Sequence, residues 1–210
     1  EALVVTPAPL LERTDGEVYF SKVNHFITGD TAIEIRTDSV KEGFITYTLD
    51  GTEPKKYSEL YKNPIQLEAG AEDAPNCYTI KAKAWYEDGT ESESYVQTYF
   101  VAENVTERYS TYILSVNGEP GELTEGPDGI LYKENAQNRG REYERKVHLE
   151  LISLDGETVF TQYGGIRAHG GDSRKHAIKP FKIYARKEYQ NGKVSFNFDG
   201  FGTLTLDGSA

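Results

Sequence analysis

Short runs in which apolar and polar side chains alternate are the feature that most constrains the fold of this chain. Because a period of two places successive side chains on opposite faces, each run predicts a half-buried β-strand. Strands that recur about every 8–12 residues without a long helical pattern are typical of a sandwich or barrel. We therefore predict a mainly β protein, with an immunoglobulin-like β-sandwich followed by a second β-rich domain. The clearest runs are 32–36, 44–49, 78–84 and 95–101, and turn signals stand at Asp50-Gly51, Asp88-Gly89 and Asp155-Gly156.

A polar segment at residues 102–107 follows the last strand of the first half and predicts a domain boundary there. We expect one domain at residues 1–105 and a second at residues 106–210. The first carries a formal net charge of -10 and the second only -1. Residues 165–193, however, contain eight basic side chains and only two acidic ones. The acidic first half argues against a nucleic-acid partner, whereas the basic stretch suits phosphate or an acidic surface.

Other residue types exclude several kinds of site. The single cysteine, Cys77, excludes a disulfide within the chain and a cysteine metal site. The four histidines show no spacing that predicts a metal site. No apolar run reaches the length of a membrane span, and no signal peptide is present. Because the chain lacks methionine, we expect that Glu1 is not a natural start and that a leader or an upstream domain has been removed.

The most distinctive stretch of the first domain is Ile45–Pro54, which reads ITYTLDGTEP. It is followed by LYKNPIQL at 60–67 and by TIKAKA at 79–84. In this order the motifs resemble the small β-sandwich domain at the C-terminus of chitobiases and β-hexosaminidases, over roughly residues 30–101. The small alanines of the last motif allow two sheets to approach closely. The resemblance implies a spacer module rather than a catalyst.

Aromatic side chains in the first domain offer an alternative function. Tyr57, Trp85 and Tyr86 are candidate ligand-binding residues that could stack on sugars, as could Tyr61. Trp85 lies an odd number of positions from Ala82 and Ala84, so it belongs to the opposite face of the strand, and its ring could point outward. The competing interpretation is that Trp85 covers the edge of the sandwich or packs on a neighbouring domain.

The second domain contains the most suggestive chemistry. Residues 164–174 read GGIRAHGGDSR, and residues 140–145 upstream read GREYER. With Lys179 in KPFKIY downstream, this ordered set resembles the N-terminal part of the bacterial CotH family of spore-coat-protein-H-like proteins, over roughly residues 110–200. The resemblance implies an atypical protein kinase that uses ATP and a divalent cation. It also implies that Lys179 contacts the nucleotide phosphates and that Arg167, Ser173 and Arg174 belong to the same cofactor-binding region.

Elementary chemistry agrees in part with this implication. A glycine-rich turn between strands leaves backbone N–H groups able to approach phosphate. Arg167 and Lys179, which we place on the flanking strands, would supply positive charge to the same spot, and phosphoryl transfer depends on positioning and charge neutralisation. The alternative is that the glycines form ordinary β-turns and the basic residues form a solvated face.

The catalytic and metal-binding aspartates of the CotH family are expected beyond the residues given, and we interpret Asp199 and Asp207 as turn formers. We therefore expect ATP and Mg²⁺ to bind only to the full-length parent, and we expect no cofactor in this fragment. Whether the parent is an active enzyme stays open. The expected partners are a nucleotide or a protein substrate of the parent. The alternative function is a non-catalytic accessory module that binds polysaccharide or a cell surface. Either function suits a secreted or surface-exposed bacterial protein with several domains and no membrane span.

Overall fold

The computed structural model describes residues 18–71, 73–105, 109 and 111–190, together with the strands at 194–198 and 202–206. The chain is mainly β, with several sheets and only short helical turns, which confirms the predicted fold class. The described residues contain no helix that is both long enough and apolar enough to cross a membrane.

Fifteen strands and one α-helical turn make up the regular structure of the described residues. The strands of the first half are β1 (Val18–Phe20), β2 (Phe26–Thr28), β3 (Thr31–Ile33), β4 (Ile35–Thr37), β5 (Gly43–Thr48), β6 (Glu59–Leu60), β7 (Ile65–Leu67), β8 (Asn76–Tyr86) and β9 (Tyr95–Ala102). The later elements are β10 (Ile113–Asn117), α1 (Pro120–Leu123), β11 (Arg145–Ile152), β12 (Thr158–Ala168), β13 (Phe181–Tyr184), β14 (Val194–Phe198) and β15 (Gly202–Leu206). Short 3-10 helices span Lys133–Gln137, Arg141–Tyr143 and Asp172–Lys175.

A five-stranded sheet in the order β2-β9-β8-β5-β6 organises the first half of the chain. The strand β8 pairs antiparallel with both β5 and β9, and β2 runs parallel to β9. Two antiparallel ribbons, β1-β4 and β3-β7, supply further apolar side chains to the same core. As predicted, the small residues of β8 face this core, where Ala82 and Ala84 are almost fully buried. The core members are Val18, Phe20, Ile27, Ile33, Ile35, Ile65, Leu67, Ile80, Ala82, Ala84, Tyr99 and Val101.

The opposite face of β8 is also largely buried, although it carries polar residues. Lys81 is 8% exposed, and its ammonium group forms an ion pair of 2.5 Å with Glu53. The Ser94 hydroxyl donates a second hydrogen bond of 2.5 Å to the same carboxylate. Partial burial works to raise the pKa of Glu53, but the bonds from Lys81 and Ser94 outweigh it and hold that pKa below its usual range. The ion pair therefore compensates a cation that the sheet removes from water.

The second sheet has the order β10-β11-β12-β13, and β14 and β15 form a separate hairpin. The contacts of the chain divide it into two compact units, one of Glu1–Ser115 with Glu150–Thr161 and one of Val116–Leu149 with Gln162–Ala210. Strands β10, β11 and β12 each contribute residues to both units. This division differs from the predicted domains at 1–105 and 106–210, because the long strands β11 and β12 each have residues in both units. The predicted domain bounds stay a prediction.

Replacing Glu53 with alanine is expected to lower the free energy of unfolding by about 1–2 kcal/mol, because it leaves the Lys81 ammonium buried without its partner. This loss in free energy is smaller than for a fully buried ion pair, because the Glu53 side chain is 43% exposed. Urea denaturation measures the change. The loss should shrink as the pH falls below the usual range of a glutamate, since the contribution of a carboxylate with a lowered pKa is lost on protonation.

Glu91→Ala is the matched control for this experiment. Glu91 forms an ion pair of 2.7 Å with Lys83, but its side chain is 51% exposed, so its loss should cost about 0.5 kcal/mol or less. Equal losses in the two variants would contradict the role assigned to burial of Lys81.

Candidate anion-binding site

The glycine pair of the predicted nucleotide turn lies within a strand. Gly164 and Gly165 are buried in the middle of β12, which runs unbroken from Thr158 to Ala168. A Cβ atom on Gly165 would lie 2.5 Å from Glu144 Oε1 and 2.7 Å from the ring of Tyr189. The absent side chains of this pair therefore make room for close packing, and the predicted glycine-rich turn between strands lies further along the chain. The bend follows the strand, at residues 169–180.

Arg174 braces that bend from inside. It lies in the 3-10 helix Asp172–Lys175 and is 7% exposed. Its Nε donates to the Gly170 carbonyl at 2.6 Å, and its Nη1 donates to the Asn138 carbonyl at 2.7 Å. These bonds tie the bend to the segment that follows the 3-10 helix Lys133–Gln137. One guanidinium nitrogen, Nη2, makes no hydrogen bond within the part of the chain that the structure describes.

Arg167 lies on the face of the sheet that carries Tyr184. The register of β12 and β13 places Arg167 opposite Lys182 and Gly165 opposite Tyr184. Arg167 Nη2 donates to the Tyr184 hydroxyl at 2.5 Å, and its guanidinium lies 4.9 Å from the centre of the tyrosine ring. Lys182 and Arg186 approach the same ring at 5.2 and 4.6 Å. Cation–π attraction to one buried tyrosine therefore helps to hold three cations together.

One buried carboxylate offsets part of this charge. Glu144 accepts two hydrogen bonds from Arg186, at 2.8 and 3.0 Å, and one of 3.0 Å from the Tyr189 hydroxyl. Burial works to raise the pKa of Glu144, but the bonds from Arg186 and Tyr189 and the charges of Arg186 and Arg167 lower it overall. Glu144 is therefore ionised at neutral pH, and its charge is engaged mainly by Arg186.

Two other arginines have no such partner. Neither Arg139 nor Arg174 forms an ion pair among the described residues. Burial lowers the pKa of Arg174, and the nearby positive charges of Arg139 and Arg167 lower it further. We call Arg139, Arg167 and Arg174 the arginine cluster. Arg139 is exposed and Arg167 is partly buried, and the electrostatic coupling of Arg174 to both indicates like charges near one another. Such a group of guanidinium charges favours the binding of an anion.

The structure brings together only some of the predicted site residues. Arg167 and Arg174 share the arginine cluster, whereas Lys179 precedes β13, is partly buried, and donates a hydrogen bond from its ammonium group to the His176 carbonyl at 2.9 Å. The placement of Lys179 on a flanking strand is therefore wrong, and Lys182 takes the position opposite Arg167. Ser173 lies in the same 3-10 helix as Arg174. The ligand contacts of Arg167, Ser173, Arg174 and Lys179 stay predictions.

Sequence reasoning missed Arg139 and Tyr184. The alternation of Lys182, Ile183 and Tyr184 was a usable signal, because it places the lysine and the tyrosine on one face of a strand. No local signal identified Arg139. The contact that ties its segment to Arg174 is the hydrogen bond from Arg174 to the carbonyl of the preceding residue, Asn138, and this bond joins residues 36 positions apart.

The candidate sugar-binding aromatics do not share one exposed face. Trp85 is 8% exposed, and its indole N–H donates to Thr46 Oγ1 at 2.8 Å. The ammonium groups of Lys56 and Lys83 lie 5.4 and 5.0 Å from its ring centre. Trp85 therefore does not point into solvent, and its burial fits the competing interpretation of a structural role, because the second face of β8 is covered. Tyr86 is partly buried against the core, and Tyr57 is 83% exposed, so binding of carbohydrate or a cell surface stays a prediction.

The described residues contain no group of three or more His, Cys, Asp or Glu side chains that could hold a metal ion. These residues therefore do not supply a donor set for Mg²⁺, and the fit of the arginine cluster to the phosphate groups of the implied nucleotide stays a prediction. Asp199 and Asp207, interpreted above as turn formers, lie outside the described residues.

An open depression of about 400 Å³ in the first unit is lined by Lys22, Phe26, Thr28 and their neighbours, and none of the predicted site residues lines it.

Comparison with known proteins bears on the first unit. Residues 33–99 match the family model described as Fn3 associated. The match includes strands β4 to β8 and fits the β-sandwich of that region. No curated protein and no solved structure matches the chain. The resemblances to the chitobiase domain and to CotH proteins stay predictions, and the arginine cluster lies outside the matched residues.

Replacing Gly165 with alanine is expected to lower the free energy of unfolding by about 1–3 kcal/mol, because the new methyl group would overlap Glu144 and Tyr189. Chemical denaturation of the full chain measures the loss. In the control Gly121→Ala the new methyl group meets no atom within 4 Å, and Gly121 lies in α1, where alanine is the better helix former. The control should therefore be neutral or slightly more stable. An equally stable Gly165→Ala protein would show that close packing does not require glycine at this position.

Proposed function

We propose that the second β-rich part of this chain binds the phosphate groups of a nucleotide, as the nucleotide-facing region of a secreted CotH-like protein. The observation that carries the proposal is the arginine cluster, in which Arg139 and Arg174 form no ion pair within the described residues. Arg139 is exposed, but Arg174 is only 7% exposed, and removing its guanidinium from water without a counter-charge is unfavourable. A bound polyanion would relieve both this cost and the repulsion among the three arginines.

The chemistry of arginine favours phosphate as that anion. A guanidinium presents several N–H donors in a planar fork that matches the oxygens of a phosphate group. Arg174 uses Nε and Nη1 to bind backbone carbonyls, and Nη2 remains as a donor. Glu144 holds Arg186 to one side, which leaves Arg139, Arg167 and Arg174 as the cations that would meet phosphate. Such residues position and neutralise a phosphoryl group without themselves forming bonds to it.

The complete protein would then use ATP and Mg²⁺ to phosphorylate a protein substrate. The CotH resemblance implies that the catalytic and metal-binding aspartates are separate from the arginine cluster, so we propose that the arginine cluster itself binds nucleotide without transferring phosphate. The first unit, with its sandwich fold and its Fn3-associated match, would serve as a spacer in a protein at or outside the cell surface.

Isothermal titration calorimetry of the full chain with ADP and with inorganic pyrophosphate tests this proposal. Arg139→Ala and Arg167→Gln should each weaken binding by about tenfold or more, the effect of losing one hydrogen bond to a charged group. Lys62→Ala removes one positive charge from an exposed position in the first unit and should leave the affinity unchanged. Absence of binding at millimolar ligand, or equal affinities in all three variants, would contradict the proposal.

Lys179→Ala distinguishes a phosphate site at the arginine cluster from the lysine site that the CotH resemblance implies. The CotH resemblance predicts that this variant loses affinity, whereas the observed bond from Lys179 to the His176 carbonyl directs its ammonium group to the backbone. If Lys179→Ala alone weakens binding and the arginine variants do not, nucleotide binds away from the arginine cluster. If the arginine variants weaken binding, the arginine cluster is the phosphate site.

A further inference from the structure

Strand β13 forms the outer edge of the second sheet. In the order β10-β11-β12-β13, the only strand that pairs with β13 among the residues that the structure describes is β12. A strand at the edge of a sheet presents one row of N–H and C=O groups that no neighbouring strand uses. Such a row is a template on which an extended peptide can pair as an additional strand.

The register shows which main-chain groups of β13 face outward. The His169 N–H donates to the Pro180 carbonyl at 2.9 Å, so Pro180 and Lys182 face β12. Because inward- and outward-facing residues alternate along an antiparallel strand, Phe181 and Ile183 direct their N–H and C=O groups away from β12. These outer groups make no hydrogen bond within the described part of the chain.

Proline is a common protection of an exposed strand edge, but Pro180 does not protect this one. Pro180 has the parity of Lys182, so the N–H that it lacks would have faced β12. The outward-facing donors of Phe181 and Ile183 are therefore intact, and the outer edge is open to strand pairing.

One face of β13 extends an apolar layer to this edge. Phe181 lies opposite Ala168, and Ile183 lies opposite Ile166. Both partners on β12 are only 3% exposed, whereas Phe181 is 47% exposed. Ile178, in the bend that precedes β13, is 90% exposed. Apolar side chains on an added strand would cover part of this surface and remove it from water.

The opposite face of the edge is positively charged. Lys182 is exposed and lies opposite Arg167 of β12. Lys182 forms no ion pair among the described residues. Side chains directly opposite each other on neighbouring strands lie about 5 Å apart, and opposite charges in such positions attract. An acidic side chain on an added strand would therefore be favoured beside Lys182, and a basic one would be repelled.

We infer that the outer edge of β13 binds an extended peptide in which acidic and apolar residues alternate. The main chain of the peptide pairs with Phe181 and Ile183. Its acidic side chains lie beside Lys182, and its apolar side chains lie beside Phe181 on the other face. This inference does not depend on the proposed nucleotide binding, because strand pairing uses main-chain groups of β13 rather than the arginine cluster.

Fluorescence anisotropy of a labelled peptide with the full chain tests the inference. The probe is a capped peptide of alternating glutamate and valine, with about six residues, the usual length of a strand. A peptide of the same composition with its glutamates and its valines in separate blocks is the control. The alternating peptide should bind about tenfold or more tightly than the control, because only the alternating order places acids and valines on opposite faces.

Two variants at one position separate main-chain from side-chain contributions. Ile183→Pro removes an outward-facing N–H without removing a hydrogen bond to β12, and it should weaken peptide binding by about tenfold or more. Ile183→Ala keeps that N–H and should weaken binding by at most about fivefold, the effect of one cross-strand side-chain pair. Equal affinities in the two variants would overturn the inference.

A second pair of variants tests the charge. Lys182→Ala should weaken binding by about two- to fivefold. Lys187→Ala removes an exposed basic side chain outside β13 and should leave the affinity unchanged. An equal effect of the two substitutions would contradict the place assigned to the acidic side chains.

If Ile183→Pro fails to fold, N-methylated peptides test the same point with the unaltered protein. One peptide carries methyl groups on the N–H of each valine, and the other on the N–H of each glutamate. Because only one of these two sets can face β13, one peptide should lose binding and the other should keep it. Equal effects of the two methylation patterns would overturn the inference.

Other binding sites give different results. If Arg139→Ala abolishes peptide binding and Ile183→Pro does not, the peptide binds the arginine cluster and the inference is wrong. If the peptide does not bind, but vesicles of phosphatidylserine and phosphatidylcholine bind and Ile178→Ser abolishes their binding, the exposed apolar residues serve a lipid surface instead. Calorimetry with pyrophosphate reports on the nucleotide proposal separately, so the failure of either proposal can be recognised.

Discussion

Antiparallel pairing of β8 with both β5 and β9 is the constraint on which the first unit depends. β8 is the middle strand of the five-stranded sheet, and its alternating side chains divide between two buried faces. One face receives small apolar residues and builds the core. The other receives the buried residues Lys81 and Trp85 and the partly buried Lys83. Glu53, Thr46 and Glu91, respectively, satisfy their polar groups. A strand that is buried on both sides can carry charge only with such partners.

Charge compensation also distinguishes structural from functional candidates in the second unit. Glu144 satisfies Arg186 and fills the space that Gly165 leaves, so this group of residues is explained by packing. Arg174 is explained in part by the three carbonyls that it binds. Its position beside Arg139 and Arg167 is not required by those bonds. Uncompensated positive charge near a buried ring is the physical reason for assigning an anion to this place.

Much of the strand pattern could be predicted from periodicity, but the environment of individual side chains could not. The runs at 44–49, 78–84 and 95–101 coincide with β5, β8 and β9. The strand that contains Gly165 could be predicted, but the close packing of Glu144 and Tyr189 against it could not, because a glycine pair is equally compatible with a turn and with close packing inside a strand. Parity left two alternatives open for Trp85, because it excludes the core face but does not reveal whether the opposite face is covered.

The sequence by itself determined the elements whose causes are local: alternating strands, Asp-Gly turns and the difference in charge between the two halves. Only the tertiary structure decided which polar groups meet, because those contacts join residues far apart in the chain. Thr98 binds Glu150 at a separation of 52 residues, and Arg174 binds the Asn138 carbonyl at a separation of 36. Burial then raises the pKa of Glu150 and lowers that of Arg174, since the loss of surrounding water disfavours the charged form of each.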